Sequence, residues 1–233
     1  SRYVALADAC VQDILSRGKP VILVGGTGLY IDALIAGRSF APYPQTGVRE
    51  ELTALADAQG MDVLMQRLRE VDPEAAARLH PSNRKRVIRA LEVWLETGKT
   101  ITQHDRESQA VPPKYHPVWL GLTFPDRQTL YDRIDLRARQ MFDAGLAGEV
   151  QALLDSGVPD SATAMQAIGY KEVARALRGE ISMDEALAQV QQSSRRYAKR
   201  QLTWFRRDRT TQWYRHGSQP DPEALRRFAA EKL

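Results

Sequence analysis

The chain has 233 residues, 43% of them hydrophobic, enough for one large domain or two small ones with a substantial core. The formal net charge of +4 is only mildly basic, so where the charge sits matters more than its sum. One cysteine, Cys10, excludes an intrachain disulfide framework; no apolar run approaches the ~20 residues of a membrane helix, and no signal-peptide pattern opens the chain.

Tyr3, Ala7, Cys10 and Ile14 share a face, with Val11 and Leu15 beside them, which predicts an amphipathic helix ended by Gly18. Val21–Val24 is an unbroken apolar run, the pattern of a parallel strand covered on both faces. Gly25 and Gly26 allow a tight turn with uncovered amides, and Thr27 sits where a helix bearing Leu29, Tyr30, Leu34 and Ile35 would begin. Such a helix start aims free N–H groups at an anion. Gly25–Thr27 is therefore a candidate contact for a phosphate or a reacting group, with the Thr27 hydroxyl as a donor. The bland alternative is a strand–helix connection with a Thr cap. A helix followed by a buried parallel strand is the second half of a βαβ unit, so a further strand of the same sheet is expected ahead of Ser1.

Ala41–Pro44 reads as a break, and strands give way to helical segments over Val48–Ala58 and Asp62–Val71. Asp72-Pro73 starts a third helix with an N-cap and a Pro at its first position. Asn83 is the expected cap of a fourth, Arg84–Thr97, closed by Gly98, with Val87, Leu91, Trp94 and Leu95 as its buried stripe. Thr100–Pro113 is polar and reads as a loop or frayed extension. Residues 42–113 are thus expected to be a helical insertion between core segments 1–41 and 114–233. Val118–Phe124 returns to the sheet, and Pro125-Asp126 starts a long helix through Phe142. Helices follow over Gly148–Ser156, from Gly169-Tyr170-Lys171 to about Leu177, and from a Ser182/Glu185 capping box to about Arg207. Gln212–Tyr214 reads as an edge strand and Pro222–Leu233 as an amphipathic tail.

The cations are unevenly placed. Arg84, Lys85, Arg86 and Arg89 crowd the start of one helix, the end that is already positive, and no carboxylate lies between Asn83 and Glu92. An external nucleic-acid backbone would relieve that crowding; a solvated charged face is the alternative. Ser194–Arg209 holds seven cations and one carboxylate, Asp208. Arg196, Lys199, Arg200 and Arg207 lie along one side of that helix, beside Tyr197, Gln201 and Trp204, a mixture suited to phosphates and stacked bases. Arg133 and Arg137 share a helix face and could grip a diphosphate. The four histidines, His80, His104, His116 and His216, have no metal-ligand spacing.

Taken in order, VGGTGLY (24–30), RVIRALEV (86–93), GKT (98–100), GYK (169–171) and KRQLTWFR (199–206) resemble the bacterial tRNA dimethylallyltransferase, or tRNA isopentenyltransferase, family over the length of the chain. The resemblance implies an α/β fold with a P-loop-NTPase-like, nucleotide-binding parallel core flanked by helices and an inserted helical subdomain. It implies transfer of a dimethylallyl group from dimethylallyl diphosphate to N6 of the adenosine 3′-adjacent to the anticodon of a tRNA. Thr27 then looks like the hydroxyl beside the reacting amine, and Gly25, Gly26 and Arg133 like contacts of the diphosphate. Arg49, Lys85, Arg86, Arg89, Gln166, Gly169, Tyr170, Lys171, Lys199, Arg200, Gln201, Thr203, Trp204 and Arg206 look like contacts of the anticodon stem-loop. The family also implies Mg²⁺, a P-loop lysine and a general-base Asp, all expected ahead of Ser1, so that this chain alone is expected to bind tRNA weakly and catalyse nothing. A monomeric, cytoplasmic protein with no membrane partner is expected. A non-catalytic RNA-binding module and a P-loop kinase of small nucleotides are the alternatives; only the kinase would transfer phosphate from ATP without tRNA, and two distant basic helices do not suit it.

Overall fold

The computed structural model describes residues 2–37, 46–217 and 221–232, so the expected break at Ala41–Pro44 lies outside them. The fold is mostly helical, with one small parallel sheet. The chain separates into two compact units, one of residues 1–25 and 29–116, the other of residues 26–28 and 117–233.

The first unit opens with α1 (Arg2–Ser16), whose buried residue is Val11; Cys10 is exposed. Residues 19–25 form no strand, and Ile22 and Val24 are 77% and 87% exposed. This corrects the buried strand expected at Val21–Val24. An apolar run specifies a surface that favours burial, but a strand also needs a neighbour to pair its N–H and C=O groups. Among the described residues none pairs with this segment. After the glycines comes α2 (Gly28–Ile35), which buries Ile31, Ala33 and Leu34 and stacks Tyr30 on Tyr3 of α1.

The rest of this unit is α3 (Val48–Gln59), α4 (Met61–Val71), α5 (Pro73–Arg78), α6 (Arg84–Thr97) and α7 (Ile101–Ala110). Helices α3 to α6 share one core around Leu52, Leu64, Leu68, Val87 and Leu91. The buried stripe of α6 runs through Val87, Ile88, Ala90, Leu91 and Val93; Leu95, expected inside, is 49% exposed. Asp72 caps α5 through the Ala75 amide, as its place before Pro73 predicts. Asn83 makes no side-chain cap on α6. The polar stretch expected to be loop is helical as α7, because Thr100 and Gln103 form a capping box and Thr102 docks on the Asp72 carboxylate.

In the second unit β1 (Leu120–Thr123) pairs in parallel with β2 (Gln212–Arg215), Leu120 opposite Gln212 and Thr123 opposite Arg215. Between them lie α8 (Arg127–Asp143), α9 (Leu146–Asp155), a single 3₁₀ turn at Ala164–Gln166, α10 (Tyr170–Leu177) and α11 (Met183–Phe205). Asp126 caps α8, and Ser182 with Glu185 caps α11 in a reciprocal box. A core of Leu146, Val150, Met165 and Val173 joins α9, the 3₁₀ turn and α10. Arg195 of α11 is tied to Asp135 of α8 at 2.6 Å. The chain closes on α12 (Pro222–Ala230), whose Phe228 packs on Tyr214.

Candidate functional site

In the second unit, the short turn Gly26-Thr27-Gly28 is seated on one face of α11. The Gln201 side-chain amide donates to the Gly26 carbonyl at 2.9 Å. A carbonyl can only accept, so the Gln201 nitrogen must be the end that faces it. Gly28 is buried under the Trp204 indole, and a Cβ at Gly28 would overlap that ring; a Cβ at Gly26 would overlap the Gln201 amide. Gly28 is therefore required by close approach rather than by backbone angle, whereas a Cβ at Gly26 would have to move the Gln201 amide aside. Thr27, between them, is exposed, and its hydroxyl has no hydrogen-bond partner among the described residues.

The same helix and the two residues after it carry six cations, Arg195, Arg196, Lys199, Arg200, Arg206 and Arg207. Lys199, Arg200 and Arg206 are exposed, with the Arg200 guanidinium over Tyr197 and that of Arg206 over Trp213. Arg207 lies 3.9 Å from the centre of the Trp204 ring. Thr203 donates its hydroxyl proton back to the Lys199 carbonyl, so it is engaged within the helix. Of the aromatic and amide residues expected to read RNA here, Gln201 and Trp204 are turned to the glycine turn, while Tyr197 stays 39% exposed.

In the Gln166–Lys171 stretch of this unit, Gln166, Ala167 and Lys171 are exposed while Gly169 is buried. Gly169 adopts φ +106°, which only glycine takes without strain, and its N–H donates at 2.9 Å to the buried Glu172 carboxylate. The Tyr170 hydroxyl donates to Glu149, which raises the phenol above its ordinary pKa. Arg133 is half-buried over the Phe124 ring, just past the C-terminal end of β1, the end where parallel sheets bind ligands. Arg137, its partner on the helix face, is exposed.

In the first unit, Arg49, Lys85, Arg86 and Arg89 line one hollow of about 370 Å³ with an apolar floor of Leu79, Ala90 and Ile101. The crowding at the start of α6 is partly relieved from within. Asp57 pairs with Arg84 at 2.6 Å, and Glu92, 7% exposed, takes both prongs of Arg49 at 2.9 and 2.8 Å and one nitrogen of Arg89 at 2.6 Å. The hydrogen bonds from Arg49 and then Arg89 overcome burial and hold the Glu92 carboxyl below its ordinary pKa. Lys85 and Arg86 are exposed and have no partner among the described residues. Glu92 was not visible as a site residue, because Arg49 stands 43 positions away. Among the described residues no three His, Cys, Asp or Glu side chains come together to hold a metal ion. Among the described residues no helix is long and apolar enough to cross a membrane.

An exposed hydroxyl on a glycine turn thus stands against the basic half of a long helix, within a mostly helical α/β fold. The family model described as IPP transferase matches residues 1–208. A protein of Thermoanaerobacter sp. named tRNA dimethylallyltransferase is 44% identical over 216 residues, 92% of this chain and 69% of that protein. Its namesake in Geobacter sulfurreducens is 47% identical over 211 residues, 91% of this chain and 68% of that one. The solved tRNA isopentenylpyrophosphate transferase of Bacillus halodurans matches with a TM-score of 0.65 and 37% identity, over 99% of this chain and 72% of the other. A eukaryotic dimethylallyltransferase acting on tRNA shares the fold with a TM-score of 0.74 at 24% identity, over 100% of this chain and 62% of its own. The chain belongs to the IPP transferase family.

Proposed function

We infer that the protein transfers the dimethylallyl group of dimethylallyl diphosphate to N6 of the adenosine 3′-adjacent to the anticodon in tRNA. The observation that carries the reading is the exposed Thr27 hydroxyl on a glycine turn seated against the basic C-terminal half of α11. In this reaction a nitrogen–carbon bond forms as the carbon–oxygen bond to diphosphate breaks, and one amine proton is released. Thr27 stands beside the amine and the departing oxygen as a hydrogen-bond donor, and the amides after Gly25 and Gly26 face the diphosphate. Arg133 supplies charge to the leaving group. The adenosine must leave its stack to reach this point.

Lys199, Arg200 and Arg206, with Gln166–Lys171, contact the anticodon stem-loop; Lys85 and Arg86 of α6 add phosphate contacts from the first unit. Arg49 and Arg89 line the same hollow as those two but give nitrogens to Glu92, which makes them secondary contacts. The core is P-loop-NTPase-like, residues 42–113 form a helical insertion, and the protein acts in the cytoplasm as a monomer. Mg²⁺ would neutralise the leaving diphosphate; among the described residues no three His, Cys, Asp or Glu side chains come together to hold it.

The test is transfer of labelled dimethylallyl to tRNA by the full-length protein. Thr27→Ala should lose most turnover while tRNA affinity stays nearly intact. A large affinity loss with unchanged turnover would make Thr27 a scaffold residue and overturn the reading.

A further inference from the structure

Gln201 stands near the C-terminal end of the basic helix, among its cations, where a polar side chain would ordinarily be assigned to the RNA. Its amide nitrogen is instead committed to a main-chain carbonyl 175 residues earlier in the sequence. That carbonyl belongs to the Gly26–Thr27 peptide, and a peptide unit is planar. A hydrogen bond to its oxygen therefore fixes the plane from which the Thr27 Cα departs. On the other side of the threonine, Trp204 covers Gly28. Residues 201 and 204 lie three apart on a helix, so one face of α11 grips the turn on both sides of Thr27. The grip is needed, since glycines on either side leave a threonine more backbone freedom than any other neighbours would.

We propose that Gln201 is a positioning residue: resting on the assignment of Thr27 to the reacting centre, its amide sets the direction of the Thr27 hydroxyl, and Trp204 is the second prop. The basic helix then does two things. Its exposed cations face the polyanion, and its Gln201–Trp204 face aligns the group that meets the reacting amine. The turn's glycines are part of the same device, because any side chain at residue 26 would displace the amide.

The experiment uses the full-length protein with Gln201→Met, which keeps the side chain's length and removes the donor. We expect kcat to fall on the order of 10–100-fold, the scale of a small misplacement of a reacting group. The tRNA dissociation constant should stay within about twofold. Amides of residues 26–28 should exchange faster with deuterium, while those in the middle of α11 keep their protection. In a Thr27→Ala background Gln201→Met should add no further loss, because both act through one hydroxyl. Gly26→Ala, which pushes the amide aside with a single methyl, should reproduce the kcat loss and be non-additive with Gln201→Met; it carries the test should Gln201→Met not fold. Weakened tRNA binding at unchanged kcat would make Gln201 an RNA contact and overturn the proposal, as would losses that multiply in the double variant. Thr27→Ala at wild-type turnover would overturn the Thr27 assignment and this proposal with it. A slow Thr27→Ala beside a wild-type Gln201→Met would overturn the positioning role alone.

Discussion

Glu92 shows what one carboxylate can do among cations. It is 7% exposed, yet it remains ionised because Arg49 meets it with two nitrogens and Arg89 with a third. Glu92→Gln keeps the shape and removes the charge, so three charge-assisted hydrogen bonds become weaker or are lost. Both guanidinium groups are roughly half-exposed and can be re-solvated, so the expected destabilisation is about 1–3 kcal/mol in urea unfolding, below the figure for a fully buried pair. The folded-state carboxyl lies below its ordinary value, so its contribution is complete above about pH 4.5 and is lost as pH falls further. Glu92→Gln should accordingly remove part of the acid-induced loss of stability between pH 5 and 3, read from the two unfolding curves; parallel curves would show that the Glu92 carboxyl titrates alike in the folded and unfolded chains. The sequence displays Arg49 and Arg89 as cations but cannot show which of them a carboxylate has engaged. Thr27 and the basic residues could be nominated from the sequence because their signal is local. The Gln201–Gly26 contact was not, because it joins segments 175 residues apart.

At the level of elements, helix starts decide much of this fold. Asp72 is 4% exposed and accepts from the Ala75 amide at 3.0 Å, the Thr102 amide at 3.1 Å and the Thr102 hydroxyl at 2.6 Å. One carboxylate thus caps α5 and anchors the first turn of α7. Burial pushes its pKa up, but the Thr102 hydroxyl and the two amides outweigh burial and leave it below the ordinary carboxylate range. Asp72→Ala leaves three donors without an acceptor and should cost about 2–4 kcal/mol, seen as a lower thermal midpoint and as fast amide exchange in α7. Asp72→Asn, which keeps an acceptor oxygen, should recover part of that. Gly169→Ala should cost about 1–2 kcal/mol, since φ +106° strains any residue with a Cβ. The caps at Asp72, Asp126 and Ser182 were readable because a cap is written within a few residues. The polar composition of 100–113 masked α7, although Thr100 and Gln103 already carried its capping box. Val21–Val24 misled in the opposite direction: its composition is that of a buried strand, but strand pairing is a property of two segments and cannot be read from one.

For the whole molecule, a net charge of +4 is too small to predict how strongly the protein holds a polyanion. What matters is which cations have no carboxylate partner. Lys85 and Arg86 on α6, Lys199 on α11 and Arg206 just past its end are exposed, and none forms an ion pair among the described residues. Arg84 stands beside Lys85 in sequence but pairs with Asp57 at 2.6 Å and donates to the Thr53 carbonyl at 2.9 Å. Each phosphate contact releases condensed counterions, so each lost contact lowers the slope of log affinity against log salt by roughly 0.7–0.9. Lys85→Ala, Arg86→Ala, Lys199→Ala and Arg206→Ala should each weaken tRNA binding and flatten that slope by about this amount. Arg84→Ala should instead lower stability and leave the slope unchanged, because its charge is already neutralised within the protein. Filter binding over a series of salt concentrations separates the two groups. Equal slopes for Arg84→Ala and Lys85→Ala would mean that ion pairing inside the protein does not decide which cations meet RNA. An unchanged slope for both the Lys199 and Arg206 variants would place α11 off the nucleic acid, leaving its Gln201–Trp204 face as its only link to the reaction.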